Sequence, residues 1–319
     1  MPVIRNSIYN AVALLNNDQI IGIPTETVYG LAGNIYSQKA IQSIFTIKQR
    51  PSFNPLIVHI KSLQDLALVA RDIPEKALEL AAAFWPGPLT LVLKKQSSIP
   101  DLVTGGKDTV AVRVPNHPLT LALLQQLSYP LAAPSANPFG SISPTKAEHV
   151  NAYFHDTVPM VLDGGACERG IESTIIGFEN GEPVVYRLGS LAIEDMIAIV
   201  GTVKMMTHDD TTPIAPGMLS RHYAPLTSTL LTANVLELLE TFSNQKIGVL
   251  VYQNGIYDPR ITAEEILSPK GSLTEAASGL YAAMHRLDSL NLDFIIAERF
   301  PDVGLGRTIN DRLERATKK

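Results

Sequence analysis

Two kinds of apolar pattern alternate along this chain, which is typical of an α/β protein. Short apolar runs predict buried strands at residues 19–23, 56–60, 89–93, 110–114, 130–133, 160–162, 174–176 and 184–186. Helical spacing predicts helices at residues 7–15, 37–48, 74–85, 119–127 and 191–200, and one from residue 145. After a polar break the pattern restarts, with helices predicted at 233–242 and 273–290 and strands at 247–251 and 294–296.

The break in the pattern divides the chain into two predicted domains, residues 1–200 and 226–319. Residues 201–225 begin as a polar linker and end in a Pro- and Gly-bearing segment that carries Arg221, His222 and Tyr223. These side chains suit a phosphate-rich pocket, so we expect the segment to close over the first domain as a lid. The alternative is a fixed strap between the domains.

Composition and charge narrow the class of protein. With 45% hydrophobic and 18% charged residues among 319, the chain has the composition of a soluble globular protein. It has no apolar run of bilayer length and no signal-peptide pattern at its start, so we expect a cytoplasmic location. The single cysteine, Cys167, excludes an internal disulfide, and a net charge of −5 argues against binding nucleic acid mainly through phosphates.

The stretch from Ile23 to Asn34 holds the first candidate chemistry, with two threonine hydroxyls, a carboxylate and a tyrosine in Pro24-Thr25-Glu26-Thr27-Val28-Tyr29. We predict a strand-to-helix loop here, in which Gly30 and Gly33 adopt backbone angles forbidden to other residues. Ligands gather at such loops because free backbone N–H groups point out of them. The alternative is an ordinary turn whose hydroxyls cap a helix.

Several cations lie where strands or helices end. Lys48 and Arg50 follow a helix, where they could serve only as charge caps, and His59 ends an apolar strand, where it could be a core histidine. Arg113 lies within an apolar strand, and a buried guanidinium needs an anionic partner. That partner is either a ligand or a nearby carboxylate.

Hydroxyl-rich loops add to these cations. Ser135 and Ser143 lie in a loop of small residues after a strand, Ser173 precedes another strand, and Arg187 ends a third. The chain lacks the P-loop, the nucleophile elbow and the zinc-binding helix. Cations and hydroxyls without an evident nucleophile favour an anion-rich ligand, as in phosphoryl or nucleotidyl transfer.

Taken together, these motifs resemble the YrdC family of threonylcarbamoyl-AMP synthases over about residues 5–200. The matching motifs are Pro24-Thr25-Glu26-Thr27-Val28-Tyr29-Gly30-Leu31, Lys48-Gln49-Arg50, Asn54-Pro55-Leu56-Ile57-Val58-His59, Trp85-Pro86-Gly87-Pro88-Leu89-Thr90, Ala133-Pro134-Ser135-Ala136-Asn137 and Glu172-Ser173-Thr174-Ile175. Ala215-Pro216-Gly217-Met218 and His222-Tyr223-Ala224-Pro225 resemble the longer, two-domain form of these enzymes.

The resemblance implies a twisted, mixed α/β sheet around a central cationic cavity, followed by a smaller Rossmann-like α/β domain. It implies a nucleotidyltransferase that makes L-threonylcarbamoyl-AMP from L-threonine, bicarbonate or CO₂, and ATP, with release of pyrophosphate. Mg²⁺ would arrive with ATP, held largely by the phosphates, and no metal site in the protein is expected. A separate transferase would use the product to modify a tRNA adenosine beside the anticodon, while direct tRNA binding is possible but not required.

The resemblance also implies site residues. The residues expected around L-threonine are Thr25, His59, Arg113, Ala133 and Ser173. Those expected around ATP are Lys48, Arg50, Ser52, Thr109, Ser135, Ser143, Arg187 and Ser220. Ser220 departs from the family pattern, because other long-form members can carry a tyrosine near the nucleotide.

Two other functions stay open from the sequence. A carbamoyl-handling maturation factor shares the first domain, but it carries acylphosphatase and zinc-finger parts that are not evident here. A non-catalytic RNA-binding module would fit a cationic cavity, although the net charge of −5 and the lack of aromatic stacking motifs argue against it.

Overall fold

The first domain is a mixed β-sheet in a computed structural model that describes residues 3–206 and 222–318. Its strands are β1 (Val3–Arg5), β2 (Ile21–Ile23), β3 (Gly30–Asn34), β4 (Ile57–His59), β5 (Ala70–Arg71), β6 (Leu89–Lys95), β7 (Thr109–Arg113), β8 (Leu131–Ala132), β9 (Met160–Leu162), β10 (Thr174–Glu179), β11 (Glu182–Arg187) and β12 (Lys204–Met205). They lie in the order β1-β9-β2-β3-β8-β4-β7-β6-β10-β11-β12, with β5 paired to β6.

Helices cover both faces of this sheet. They are α1 (Ile8–Asn16), α2 (Gln38–Lys48), α3 (Leu66–Val69), α4 (Glu75–Phe84), α5 (Asp101–Thr104), α6 (Pro118–Gln126), α7 (Ala147–Phe154) and α8 (Ile193–Val200). Side chains of β3 alternate between the two cores, because Leu31 packs in the cluster that contains Ile44 of α2 and Ala32 in the one that contains Ala11 of α1.

Helix α2 shows how local sequence sets the position of a site residue. The Ser37 hydroxyl accepts a hydrogen bond from the backbone N–H of Ala40 at 3.1 Å and so caps the helix start. Ile41 and Ile44 bury one face, and Gln49 ends the helix in the left-handed conformation with φ 53°. Lys48 therefore lies in the last helical turn, directed into the protein.

The second domain is a small parallel sheet, which confirms the predicted Rossmann-like α/β unit. Its elements are β13 (Ser228–Thr232), α9 (Val235–Leu239), β14 (Ile247–Val251), β15 (Ile261–Ile266), α10 (Leu273–Asp288), β16 (Phe294–Glu298) and α11 (Leu305–Ala316). The strand order is β13-β16-β14-β15, and every paired strand is parallel. The hydrophobic core on the α10 and α11 side includes Val28, Ile142 and Ile171 of the first domain, so the two domains pack together.

One local prediction is wrong. Residues 30–34 form β3, which pairs antiparallel with β2, so the connection at residues 24–29 is a strand-to-strand loop and not a strand-to-helix loop. Gly30 and Gly33 are absent from the positive-φ residues of the described chain. They are needed for close packing, because a Cβ on Gly30 would lie 3.1 Å from Ala133 Cβ and one on Gly33 3.2 Å from Ala40 Cβ.

Besides β3, the sequence patterns missed seven elements: β1, α3, β5, α5, β13, β15 and α11. Strand β12 lies inside the predicted linker and pairs with β11. Within the described ranges, no helix is both long enough and apolar enough to cross a membrane.

Candidate active site

A cavity of about 50 Å³ opens where strands of the first sheet end. His59 and Arg113 lie opposite each other on the parallel strands β4 and β7, so both side chains reach the same place. All five residues predicted around L-threonine line this cavity: Thr25, His59, Arg113, Ala133 and Ser173. Three of the residues predicted around ATP also line it: Arg50, Ser135 and Arg187.

Arg113 has the carboxylate partner that the sequence left as an alternative. Its Nη2 lies 2.6 Å from Oε1 of Glu26, and both side chains are buried. Its Nε donates to the carbonyl of Gly87 at 3.1 Å, and its Nη1 donates to the hydroxyl of Thr27 at 2.9 Å. The guanidinium is therefore fixed and charge-balanced, and its remaining N–H groups are the ones available to a ligand.

The Thr25 hydroxyl is fully engaged within its own turn. It donates to the carbonyl of Val28 at 2.6 Å and accepts from the backbone N–H groups of Thr27 and Val28, each at 3.2 Å. Because a hydroxyl has one proton and this one goes to Val28, Thr25 does not donate across its 2.9 Å contact with Thr27. Thr25 thus shapes the wall of the cavity but has no proton left to donate to a ligand.

His59 is a neutral imidazole whose tautomer follows from its hydrogen bond. Burial, together with the nearby Arg113, lowers the pKa of His59 to about 3. Its Nδ1 lies 3.2 Å from the carbonyl of Ile57, and since a carbonyl only accepts, the proton sits on Nδ1. Nε2 is left as a hydrogen-bond acceptor.

Lys48 and Arg50 are buried, and their hydrogen-bond acceptors among the described residues are neutral oxygen atoms. Lys48 Nζ donates to the carbonyl of Ser135 at 2.5 Å and to that of Asn137, so it braces the loop behind the cavity. Arg50 donates to the side-chain oxygen of Asn54 at 2.6 Å and to the carbonyl of Pro55 at 2.7 Å. Burial, with Arg50 nearby, lowers the pKa of Lys48 well below its ordinary value, and burial with Arg187 nearby lowers that of Arg50 to about 9.

Three other predicted ATP residues, Ser52, Thr109 and Ser143, do not line the cavity. Ser143 is buried and donates to Glu172 Oε1 at 2.6 Å, while Ser52 is exposed on the loop after α2. Thr109 lies on the same face of β7 as Arg113 but at the opposite end, where it lines a separate cavity of about 410 Å³. Ser220 is outside the described residues.

Glu172 connects the cavity to the second domain. Its Oε2 accepts from the hydroxyl of Tyr281 at 2.9 Å and from Nε of Arg312 at 3.0 Å. Although burial opposes its ionisation, Arg312 and Arg187 hold the pKa of Glu172 below its ordinary value. The second domain therefore supplies one of the two arginines that stabilise the charge of a carboxylate lining the site.

His222 and Tyr223, at the end of the predicted lid, line the cavity and are buried. Tyr223 lies against Tyr281, with ring centroids 5.9 Å apart, and the Arg312 guanidinium lies 4.5 Å from its ring centroid. The backbone N–H of Ala224 donates to the carbonyl of Gly140 at 2.8 Å. Residues 207–221, which make up most of the segment 201–225, are outside the described ranges, so closure on ligand binding stays a prediction.

Comparison with known families accounts for both domains. Residues 13–189 match the family model described as telomere recombination, which groups Sua5, YciO and YrdC. Residues 190–317 match the C-terminal domain of threonylcarbamoyl-AMP synthase. The chain belongs to the threonylcarbamoyl-AMP synthase family. The resemblance inferred from the motifs is thereby confirmed.

Relatives within the threonylcarbamoyl-AMP synthase family align over nearly their whole length. The threonylcarbamoyl-AMP synthase of Pyrococcus abyssi is 38% identical, over 96% of this chain and 93% of its own. That of Bacillus subtilis is 39% identical, over 97% of this chain and 92% of its own. The crystal structure of P. abyssi Sua5 complexed with L-threonine matches with a TM-score of 0.92 and 38% identity, covering 97% of this chain and 94% of that one.

Some residues around the site of this threonylcarbamoyl-AMP synthase family member were not singled out from the sequence. Glu26 and Glu172 fell within the matching motifs, but nothing in the motifs showed that each is the ion-pair partner of an arginine. Arg312 and Tyr281 lie in the second domain, far along the chain from the residues they contact. The only sequence signal for Glu172 was its place beside Ser173.

Proposed function

We propose that this chain joins L-threonine, bicarbonate or CO₂, and ATP into L-threonylcarbamoyl-AMP, with release of pyrophosphate. The observation that carries the proposal is a single cavity bordered by Arg113, Arg50 and Arg187, with Lys48 directly behind its wall. Such a cavity suits a substrate carboxylate at one end and phosphates at the other.

The reaction needs positioning more than it needs a protein nucleophile. The threonine amine attacks the carbon of CO₂ and releases a proton, or attacks that of bicarbonate with net loss of water, and forms a carbamate. A carbamate oxygen then attacks the α-phosphorus of ATP, and the bond from that phosphorus to the bridging oxygen breaks to release pyrophosphate. Holding the short-lived carbamate beside ATP turns the second step into an intramolecular one.

At the threonine end, we assign the substrate carboxylate to the N–H groups of Arg113 that Gly87, Thr27 and Glu26 leave free. Neutral His59 offers Nε2 as an acceptor for an N–H or O–H group of the substrate. Because the Thr25 hydroxyl is engaged in its turn, we assign recognition of the threonine hydroxyl to Ser173.

At the nucleotide end, Arg50 and Arg187 would neutralise the phosphates. From there an apolar strip of Ile57, Ala111 and Val92, neighbours on β4, β7 and β6, leads to Thr109. We propose that adenosine lies along this strip, which would bring Thr109 into the site. Among the described residues, no cluster of three or more His, Cys, Asp and Glu side chains could hold a metal, so we assign Mg²⁺ to the ATP phosphates.

The test is pyrophosphate release by the purified chain from ATP, with L-threonine or bicarbonate omitted in turn, and mass detection of the adenylate. We expect release to require both substrates and no tRNA, which separates the enzyme from an RNA-binding module. Arg50→Met should reduce the rate strongly, whereas Arg71→Met, at an exposed arginine, should not. Pyrophosphate release that ignores threonine would contradict the proposal.

Given this product, we further propose that a separate transferase carries the threonylcarbamoyl group to tRNA, and that the chain acts in the cytoplasm. Pull-down from cell extract after cross-linking, followed by mass spectrometry, would identify the transferase.

A further inference from the structure

Two buried hydroxyls meet at the edge of the cavity. Thr90 Oγ1 on β6 lies 2.7 Å from Ser173 Oγ, which precedes β10, and the exposed fractions of the two residues are 0% and 1%. The distance alone does not say which hydroxyl donates. Counting the remaining partners of each one does, because a hydroxyl has one proton and two lone pairs.

Thr90 must be the donor. Within the described part of the chain, Ser173 is the only hydrogen-bond partner of the Thr90 hydroxyl. If Ser173 donated to Thr90, the Thr90 proton would be buried without an acceptor, which is an unfavourable state. The Thr90 proton therefore lies on Ser173 Oγ.

Ser173 then has no accepting capacity left. Its Oγ accepts from Thr90 and also from Nη2 of Arg187 at 3.2 Å, so both lone pairs are occupied. We propose that Thr90 is a positioning residue that makes Ser173 an obligatory donor, with its own proton directed to the substrate in the cavity. Thr90 does not line the cavity and acts through Ser173.

This inference rests on the proposed function and deepens it. An amino acid hydroxyl has an oxygen that needs a donor and a proton that needs an acceptor. Ser173 supplies the donor, and Nε2 of His59 supplies an acceptor across the same cavity. Valine offers neither group, so a site with fixed donor and acceptor directions disfavours it by leaving buried polar groups unpaired.

The experiment compares three variants by steady-state kinetics and by calorimetric titration with L-threonine alone. Thr90→Val removes the hydroxyl with little change of shape, and Thr90→Ser keeps it. Thr174→Val is the matched control, because Thr174 is equally buried but donates to the backbone carbonyl of Leu191 at 2.7 Å. We expect Thr90→Val to raise the threonine KM about five- to tenfold and to reduce the preference for threonine over valine. The KM for ATP and kcat should change little, and Thr90→Ser should stay close to the wild type.

A double variant gives the decisive comparison. In a Ser173→Ala background, Thr90→Val should have no further effect on threonine binding, since it acts through the Ser173 hydroxyl. Additive effects, equal losses in Thr90→Ser and Thr90→Val, or the same loss in Thr174→Val would overturn the inference. If Thr90→Val does not fold, Thr90→Ala against Thr90→Ser makes the same comparison.

The experiment distinguishes failure of the proposed function from failure of the inference about Thr90. In that case the wild type would form no adenylate, while the titration with L-threonine would still measure the effect of Thr90. If the wild type forms the adenylate and Thr90→Val binds threonine as the wild type does, only the inference about Thr90 is wrong.

Discussion

Lys48 and Arg50 at the cavity are buried, as is Arg312 at the domain interface, but their partners differ. Arg312 is paired with Glu172 and Asp311. Lys48 and Arg50 bond to carbonyl and amide oxygens, and no carboxylate of the described residues lies within ion-pair distance of either. A buried cation with its own carboxylate holds the structure together, whereas one without it is ready for an anionic ligand.

The pKa values follow the same division. Burial lowers the pKa of Lys48 and Arg50, with further lowering by neighbouring arginines. Burial opposes the charge of Arg312 as well, but Tyr223, Tyr281 and Glu172 hold its pKa well above the ordinary value. Phosphates entering the cavity would supply Lys48 and Arg50 with the countercharge that Glu172 already supplies to Arg312.

The largest expected effect comes from breaking the interface pair. Arg312→Met leaves Glu172 buried without its partner, so we expect the free energy of unfolding to fall by about 3–5 kcal/mol. Activity should fall too, because Glu172 also accepts from Ser143 and lines the cavity. Urea denaturation and pyrophosphate release measure the two effects.

Arg299→Met is the control for this change, since the Arg299–Glu314 pair is exposed to 46% and 49%. Its loss should cost less than about 1 kcal/mol. Comparable losses of unfolding free energy in the two variants would mean that Arg312 does not stabilise the domain interface more than an exposed ion pair would.

The second largest expected effect is the loss of ATP binding when a cavity cation is removed. Arg50→Met leaves no carboxylate behind, so it should destabilise the protein less than Arg312→Met does. It should weaken binding of a non-hydrolysable ATP analogue by about 1.5–3 kcal/mol, the worth of a hydrogen bond to a charged group. Calorimetric titration measures this value, and Lys48→Met should act in the same direction. Unchanged affinity in both variants would remove these cations from the nucleotide site.

The smallest expected effect is a loss of stability at low pH, caused by two histidines that are neutral at pH 7. His149 and His285 stack between the domains with ring centroids 3.9 Å apart, and Tyr153 lies against His285. Burial, with His285, Lys146 and Arg286 nearby, lowers the pKa of His149 to about 3, while burial also lowers that of His285 despite Asp288 nearby. Both rings are therefore neutral at pH 7.

Below pH 6.5 the unfolded chain binds a proton at His149 that the folded chain does not, so stability falls as pH falls towards 3. For this partly exposed group we expect about 1 kcal/mol of loss between pH 7 and pH 5, after discounting for solvent screening. His149→Phe should show a smaller fall of Tm over that range, and His155→Asn, at an exposed histidine, should behave as the wild type. An equal fall in all three proteins would rule out this role.

The sequence was most informative where a residue's neighbours along the chain decide its position. An arginine inside an apolar strand had to meet an anion, and Arg113 does contact Glu26. The periodicity placed the ends of α2 and β4 closely enough to bring Lys48 and His59 into the site. Strand β3 was missed because Gly30 and Gly33 are typical of turns, and only the packing of Ala133 and Ala40 explains them.

Arg312 could not have been found in this way. It lies in α11 between Asp311 and Glu314, a pattern typical of an exposed helix face. Its burial depends on how the two sheets pack against each other, and no local pattern carries that information. The same holds for Thr90, because its contact with the Ser173 hydroxyl, on which the proposed role depends, is visible only in the structure.

The size of the cavity has a kinetic consequence. Pockets for small ligands commonly measure about 300–1,000 Å³, so from the cavity of about 50 Å³ we expect His222 and Tyr223 to move when ATP binds. Because Arg312 and Tyr281 contact Tyr223, we expect the second domain to influence the fraction of molecules that are open to ATP. The apparent affinity for ATP is then the intrinsic affinity reduced by that open fraction. In rapid-mixing experiments the binding rate should level off at high ATP concentration, at the rate at which the Tyr223 ring leaves the cavity.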